Sequence, residues 1–263
     1  MKEFGHEYTS IDGNYVQYKT IPWLGTFAKC YYPLEGFSVE RISELLPSTV
    51  TIECISDQTW TGFDNRANQT VWVWLRKNDN DLLSSFNRSV RYYIRKGANK
   101  GVKVEVESSR EAFEDFWRIF THTAGRGEFK PRFRSIVERI FRETDFSRLF
   151  LCYYDSKPVA AFMTIHSDEA ACFYYGGAYK EFLSTHASYV GHWEIIRYYN
   201  DLGKTLYDMA GVGYSKSYSF KKGWGDVVTH YRSNRIKSRY KYALLKLFRN
   251  SRLLQTLYYG VLK

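Results

Sequence analysis

Apolar and polar positions divide the chain into a strand-rich beginning and a mixed remainder. Short runs of β-branched and aromatic residues in 1–78 are broken by Gly, Pro and Asn, which is the pattern of strands joined by turns. One helical pattern, at 39–46, interrupts them. We therefore predict a reduced, β-rich N-terminal subdomain over 1–78. Its predicted strands lie at 15–21, 27–32, 49–55 and 70–75.

Helical periodicity begins at Asp81, where Leu83, Phe86, Val90 and Ile94 recur on one face. The elements that follow have the order βααβββαβαβ, an α+β plan with meandering central strands and then a crossover helix. Ligands usually approach such a sheet beside its central strands. We predict a domain over 79–234. Its remaining strands are expected at 102–106, 148–154, 158–166, 170–175, 205–209 and 226–231, and its helices at 110–123, 131–143 and 184–202.

Arg88, Arg91 and Arg95 occupy another face of the first helical segment, and no acidic residue lies between Leu82 and Val104. Phosphate contacts require cations and carry no base code. This stripe is therefore a candidate for tracking an RNA backbone, and a solvated helix face is the alternative.

A basic helical tail is predicted over 235–263. From Gly203 to Lys263 there are 13 Lys and Arg but only two acids, Asp208 and Asp226. The tail can lie on an anionic membrane as an amphipathic helix. Alternatively, it forms a helix pair that packs Leu244, Leu247 and Leu254 on the core.

Composition indicates a folded protein with an anionic partner. Of the 263 residues 44% are hydrophobic and 18% aromatic, which excludes a disordered chain, and the net charge is +10. The four cysteines form no C-x-x-C motif, and free, buried thiols in a reducing compartment are expected. Neither a signal core nor a continuous apolar span is present in the sequence. We predict a cytoplasmic protein that can contact the inner face of the membrane peripherally through 235–263.

Several enzyme classes lack their signatures here. The sequence contains no G-x-S-x-G elbow, Walker loop, G-x-G-x-x-G or H-E-x-x-H motif. His186 and His192 stand six residues apart, so we interpret them as ordinary helix histidines and predict no metal site. The element order is also that of an acetyltransferase-like fold. The junction at 174–182, however, lacks the R/Q-x-x-G-x-G/A spacing that cradles the phosphates of acyl-CoA.

The segment 218–226, Y-S-F-K-K-G-W-G-D, places a lysine pair between aromatic residues and two glycines. A cation fixed in a tight turn can stabilise an oxyanion. An isolated lysine pair is otherwise typical of a solvated helix end that complements the helix dipole. The surrounding motifs favour the first interpretation.

Four motifs in order resemble the FemABX aminoacyltransferases, which build peptidoglycan cross-bridges. The resemblance covers roughly residues 70–245 and implies the GNAT-like (acyl-CoA N-acyltransferase-like) fold, with 1–78 as a truncated first half. It also implies an aminoacyl-tRNA as donor. The motifs are R-S-V-R-Y-Y-I-R-K-G at 88–97, F-Y-Y-G-G at 173–177, L-Y-D-M-A-G at 206–211 and F-K-K-G-W-G at 220–225.

The resemblance also implies roles for individual residues. Lys221 matches the lysine that stabilises the tetrahedral oxyanion, Phe220 shapes its pocket, and Lys222 is a supporting phosphate-binding charge. Tyr175 would contact the acceptor, although a buried strand tyrosine explains it equally well. Arg126, predicted in a loop between two helices, would bind acceptor phosphates or simply face solvent. Asp208, a further candidate substrate-binding residue, would organise a turn rather than act as a base.

Three departures from the family pattern are visible. Trp224 stands where the family has phenylalanine, and 1–78 is too short for a complete first domain. The family's helical arm is absent as well. The acceptor therefore need not be a peptidoglycan precursor.

The leading functional hypothesis is transfer of an amino acid from aminoacyl-tRNA to an amine of a peptidoglycan precursor or another peptidyl or lipid-linked acceptor. No cofactor is expected beyond this co-substrate. The second hypothesis is an acyl-CoA-dependent N-acyltransferase that uses acetyl-CoA on a polysaccharide or small amine. The third is a non-enzymatic module that binds RNA or a membrane surface.

Overall fold

A computed structural model describes residues 7–21, 23–31, 36–75, 78–126, 134–143, 145–212 and 216–250 of the protein. The chain forms two compact units, one made of Met1–Asn68 with Thr229–Lys263 and the other of Gln69–Val228. The predicted domain division after residues 78 and 234 stays a prediction. Within the described residues, no helix combines the length and the apolar character that crossing a bilayer requires.

Helices and strands are distributed along the whole described chain. In order they are β1 (Glu7–Ile11), β2 (Asn14–Ile21), β3 (Gly25–Tyr31), α1 (Glu40–Leu45), β4 (Thr49–Ser56), β5 (Asp64–Trp74), α2 (Asp79–Ser85), α3 (Arg88–Asn99), β6 (Lys103–Glu107), α4 (Arg110–Arg126), α5 (Arg134–Glu143), β7 (Ser147–Tyr154), β8 (Lys157–His166), β9 (Ala170–Ala178), a 3-10 helix (Lys180–Thr185), α6 (Ala187–Asp201), β10 (Leu206–Gly211), α7 (Lys216–Lys221), β11 (Asp226–Ile236) and α8 (Arg239–Asn250).

The first unit is built on a sheet with the strand order β1-β2-β3-β4-β11. Its core includes Val16, Ile42 and Ile52, all fully buried. Asp12 and Gly13 join β1 to β2 with φ of 48° and 77°, the conformation of a two-residue hairpin turn. We did not predict β1, although this Asp-Gly pair is a strong hairpin signal.

The second unit contains a mixed sheet with the order β5-β10-β9-β8-β7-β6. Strands β9 and β10 run parallel, while the other neighbours pair antiparallel. Helices α3 and α6 pack with one apolar cluster, which includes Phe150 and Phe162, whereas α4 and α5 pack with a second that includes Leu149 and Met163. Because side chains alternate along a strand, these clusters lie on opposite faces of the sheet.

The helical pattern that begins at Asp81 forms two helices and not one, which corrects the predicted single segment. The side chain of Asn87 accepts a hydrogen bond from Val90 N at 3.1 Å and thereby caps α3. Leu83 and Phe86 belong to α2 and its C-cap, while Val90 and Ile94 belong to α3. Both helices still bury the same apolar stripe.

Several other predicted boundaries also differ from the structure, among them the strand predicted at 70–75, which starts at Asp64. The predicted helix 184–202 starts with a separate 3-10 turn, and α6 proper begins at Ala187. The tail helix starts at Arg239 because β11 continues to Ile236. Part of the predicted helix 131–143, namely 131–133, and the end of the tail, 251–263, lie outside the described residues. The four cysteines are free thiols, three of them buried.

Candidate functional site

The F-K-K-G-W-G turn is fixed by close packing within the second unit. A Cβ at Gly223 would lie 2.4 Å from Asn87 Nδ2, and one at Gly225 would lie 2.1 Å from the carbonyl oxygen of Trp72. Asn87 N also donates to Gly223 O at 2.9 Å. Trp224 between them is fully buried. Neither position has room for a side chain. This close packing fixes the end of α7, where Lys221 lies.

Lys221 is a buried cation, with only 8% of its surface exposed. Its Nζ donates to Gly211 O at 3.0 Å and to Ala210 O at 3.3 Å. The same atom lies 5.2 Å from the ring centre of Phe173. An ammonium carries three N–H donors, and two of those on Lys221 donate to these carbonyls. The third has no hydrogen-bond acceptor among the residues that the structure describes.

A bulge in β10 presents these carbonyls. Asp208 pairs with Trp72 and Gly211 pairs with Thr70, so β10 has one residue more than β5 over this stretch. Ala210 takes up the excess with a φ of 60°, which is strained for a residue with a side chain. An Asp208 carboxylate oxygen accepts hydrogen bonds from Ala210 N at 2.7 Å and from Thr70 Oγ1. This aspartate therefore braces the bulge.

Burial governs the ionisation of the groups around Lys221. It lowers the pKa of Lys221 to about 8, while the nearby Asp208 and Cys172 act in the opposite direction. Burial raises the pKa of Cys172 to about 12, so this residue is a neutral thiol. His192 has its pKa lowered to about 3 by burial and by the charge of Lys221. At neutral pH the site thus holds an ammonium beside a neutral imidazole.

Aromatic rings enclose this polar group. Phe220 lies 4.8 Å from Tyr189 and 5.5 Å from His192, measured between ring centres. The His192 Nδ1 atom is 3.1 Å from the hydroxyl oxygen of the buried Tyr207. Such apolar walls lower the local dielectric, which strengthens the effect of a fixed charge.

The ammonium lies where two parallel strands separate. Pairing between β9 and β10 covers only three residue pairs and ends at Asp208 and Cys172. Strand β9 then continues to Ala178, and Phe173, under the Lys221 ammonium, is its first residue beyond that pairing. A substrate that approaches beside the central strands would meet the cation at this opening.

Tyr175 and Arg126 lie on the opposite face of the sheet from Lys221. An extra residue in β9 at Tyr174 shifts the register with β8, and Tyr175 packs 5.1 Å from the ring centre of Phe120. Arg126 is the last residue of α4 and not a loop residue as predicted. Its guanidinium donates to Ala178 O at 2.5 Å. The structure therefore does not bring these two residues together with Lys221, and their acceptor-binding roles stay predictions.

The predicted arginine stripe divides into two kinds of residue. Arg91 donates to Ser84 O at 3.0 Å and to Phe86 O at 2.9 Å, so it caps the C-terminal end of α2. Arg88 and Arg95 are exposed, as is Lys222 beside the buried lysine. Arg88, Arg95 and Lys222 are therefore better placed than Arg91 for phosphate contacts.

His192 is one of the site residues that the sequence interpretation missed. It is 2% exposed and in contact with the aromatic wall, so it is not an ordinary surface histidine of a helix. Its spacing from Tyr189, Ile196 and Tyr199 places all four on one helical face. That periodicity was the available signal. Thr70, Cys172 and Tyr207 gave none, because their roles depend on strand pairing.

A family profile decides the classification of this chain. The acetyltransferase (GNAT) domain profile matches residues 84–222, which is more than half of the sequence. The chain belongs to the acetyltransferase (GNAT) domain family. The matched part includes Lys221, Asp208 and the whole of β6 to β10. A comparison with curated proteins found no match.

Solved structures share the fold of this GNAT protein at low identity. A crystal structure of FemX has 16% identity and a TM-score of 0.70 over 92% of this chain and 91% of FemX. The C-terminal domain of a protein assigned as a lysylphosphatidylglycerol synthetase, from Agrobacterium fabrum, has 13% identity and a TM-score of 0.61 over 92% and 87%. L-PGS from Bacillus licheniformis has 13% and 0.59 over 93% and 88%. The predicted FemABX-like GNAT fold is thereby confirmed.

Proposed function

We propose that this GNAT protein is an aminoacyltransferase. It moves an amino acid from an aminoacyl-tRNA to an amine of a peptidoglycan precursor or a related peptidyl or lipid-linked acceptor. One observation carries the proposal. Lys221 is a buried ammonium whose third N–H has no acceptor among the described residues, so it can donate to an oxygen of the substrate.

The reaction requires such a donor. The acceptor amine attacks the carbonyl carbon of the aminoacyl ester, a C–N bond forms, and the carbonyl oxygen becomes an oxyanion. Lys221 stabilises this oxyanion, and the low polarity of the surrounding rings increases the effect. When the intermediate collapses, the C–O bond to the tRNA ribose breaks. The amine nitrogen loses one proton and the ribose oxygen gains one, so the Lys221 ammonium is the same before and after the reaction.

Rate enhancement also depends on holding the two substrates together. Pairing between β9 and β10 ends at Asp208 and Cys172, next to the strand residue that Lys221 contacts, so a substrate beside these central strands can reach the ammonium. Exposed Arg88, Arg95 and Lys222 offer cations for tRNA phosphates. No general base is assigned, because His192 has a pKa of about 3 and is a weak base.

The fold relatives support a donor of this class. FemX carries the name of the FemABX family, which the four sequence motifs resemble. By its assigned name, the relative from Agrobacterium fabrum forms an aminoacylated phospholipid. An aminoacyl group is therefore what the four-motif resemblance and the name of this relative have in common.

Acetyl-CoA is the alternative donor, because the family profile is that of acetyltransferases. Its phosphates would need the turn that follows β9. A Cβ at Gly177 would lie 2.1 Å from Thr123 Oγ1, and one at Gly176 would lie 2.5 Å from Ala161 O. These two glycines thus serve the packing of β9 against its neighbours. This packing, together with the missing R/Q-x-x-G-x-G/A spacing, supports charged tRNA over acyl-CoA as the donor.

A transfer assay separates the two donors. The purified protein is offered charged tRNA or acetyl-CoA together with candidate acceptor amines, with and without ribonuclease. We expect amide product from charged tRNA that ribonuclease abolishes. Product from acetyl-CoA that ribonuclease does not affect would contradict the proposal.

Two lysine variants connect the activity to the site. Lys221→Met should slow transfer about 100- to 1,000-fold, whereas Lys157→Met, at an exposed position at the start of β8, should retain it. Full activity in Lys221→Met would contradict the proposal that the Lys221 ammonium stabilises the oxyanion.

A further inference from the structure

Helix α8, which belongs to the first unit, buries one side against the turn between β2 and β3. Tyr242 and Leu244 pack on Ile21 and Leu24, which are almost completely buried at the turn between β2 and β3. The predicted packing of the tail on the core is therefore correct for Leu244. Leu247, which was expected to pack with it, is 63% exposed, and Leu254 lies outside the described residues.

The outward side of α8 is apolar along its centre. Tyr240, Ala243 and Leu247 stand at i, i+3 and i+7, which places them on one face. All three are exposed, Tyr240 by 75%. A helix on a globular surface normally turns its apolar stripe inward. Here a second apolar stripe points away from the protein.

An exposed tryptophan lies on the turn that α8 covers. Trp23 is 63% exposed and sits between Ile21 and Leu24, with Leu24 N donating to Ile21 O at 2.9 Å. Both flanking residues pack with α8 side chains. Tryptophan and tyrosine rings favour the headgroup level of a bilayer.

Positive charge surrounds this apolar stripe. Arg239, Lys241 and Lys246 of α8 are exposed. After Asp226 the sequence contains no acidic residue as far as Lys263. An apolar stripe flanked by cations is the pattern of helices that lie in the plane of an anionic membrane surface.

We propose that α8 and Trp23 dock this protein on an anionic lipid bilayer. Tyr240, Leu247 and Trp23 enter the headgroup region, while Lys246 and its neighbours contact lipid phosphates. This docking does not depend on the proposed transfer reaction. A failed transfer assay leaves it standing, and its own failure leaves the transfer reaction standing.

Vesicle flotation of the full chain tests the docking surface. Vesicles of phosphatidylcholine with phosphatidylglycerol should carry the protein upward, whereas pure phosphatidylcholine should not. The double variant Tyr240→Ser, Leu247→Ser should lose flotation. Lys246→Glu, which changes the local charge by two, should weaken binding roughly tenfold or more. Leu202→Ser removes a leucine that is 53% exposed in the second unit, and it should float like the wild type.

Three results would overturn the proposal. The first is no flotation with the anionic vesicles. The second is flotation that the double variant retains. The third is a wild-type dimer in solution that the double variant dissociates, since the stripe would then be a protein interface. Each variant should unfold at the same temperature as the wild type, which shows that a loss of flotation is local. If the wild type does not float and the double variant loses its retention of tRNA, the surface binds RNA and not lipid.

Discussion

Lys221 is a charged side chain that folding removes from water. Burying an ammonium is costly, and two carbonyl hydrogen bonds offset only part of that cost. Its replacement by an apolar side chain of similar length is expected to keep or raise stability. A buried charge that lowers the stability of the fold is typical of functional sites.

We therefore expect opposite effects of Lys221→Met on stability and activity. Transfer should fall about 100- to 1,000-fold, as when a single oxyanion donor is removed. The melting temperature should stay level or rise. Steady-state turnover and calorimetry measure the two quantities, with Lys157→Met as the control. A large drop in melting temperature would assign Lys221 a structural role.

The pKa of Lys221, about 8, sets the expected pH dependence of the reaction. Only the ammonium donates to the oxyanion, so turnover should decline as the pH rises through about 8. Asp208 raises this pKa, hence Asp208→Asn should move the decline to lower pH. The pH profile of single-turnover rates measures both. A decline at the same pH in the variant would show that another group titrates.

The same shift has a signature in stability. The pKa of Lys221 is lower in the folded chain than the ordinary value of 10.5, so between pH 8 and 10.5 the unfolded chain binds more protons. The free energy of unfolding should therefore rise with pH in that window, relative to Lys221→Met, by roughly 3 kcal/mol at most. Below pH 8 the difference should be constant. Denaturant titrations of both proteins at several pH values measure it.

At the scale of elements, two close approaches hold the turn that ends in Trp224. Gly225 meets the backbone of β5, and Gly223 meets the side chain that caps α3. Bulged β10 supplies the carbonyls on the other side. The position of Lys221 thus depends on three elements that are distant in sequence.

Gly225→Ala is expected to disturb this arrangement. Its Cβ would lie 2.1 Å from the Trp72 carbonyl oxygen, so one backbone must shift, at a cost of roughly 1–3 kcal/mol. Turnover should fall as Lys221 moves. Gly125→Ala in α4 is the control, because nothing lies within 4 Å of its added Cβ. Equal melting temperatures and activities for the two variants would contradict the packing account.

Most elements could be predicted from the sequence because their periodicity is local. The predicted strand 49–55 and the structural strand Thr49–Ser56 nearly coincide. The break between α2 and α3 escaped prediction, because one apolar stripe continues across it. Register shifts in β9 and β10 could not be predicted, since they depend on pairing between strands far apart in the chain.

At the scale of the whole molecule, the sequence identified the family motifs but not the faces on which they meet. Lys221, Phe220 and Asp208 lie together, whereas Tyr175 and Arg126 pack with α4 on the other face of the sheet. A one-residue bulge at Tyr174 decides this. No pattern of residue types reports such a change of face.

The net charge of +10 predicts a salt-dependent affinity for tRNA. Arg88→Gln and Arg95→Gln should each reduce the slope of log affinity against log salt by about one. Filter binding at several salt concentrations measures the slope. Arg118→Gln, at an exposed position of α4 paired with Asp115, should leave it unchanged. Identical slopes for all three variants would show that Arg88 and Arg95 do not contact tRNA phosphates.

Single-turnover transfer from a radiolabelled aminoacyl-tRNA tests the central claim most directly. The wild type should form an amide with the acceptor amine, and ribonuclease should abolish the product. Lys221→Met should form it at least about 100-fold more slowly although its fold is intact. Equal rates for the two proteins, or amide formation only from acetyl-CoA, would contradict the assignment of Lys221 as the oxyanion donor of an aminoacyltransferase.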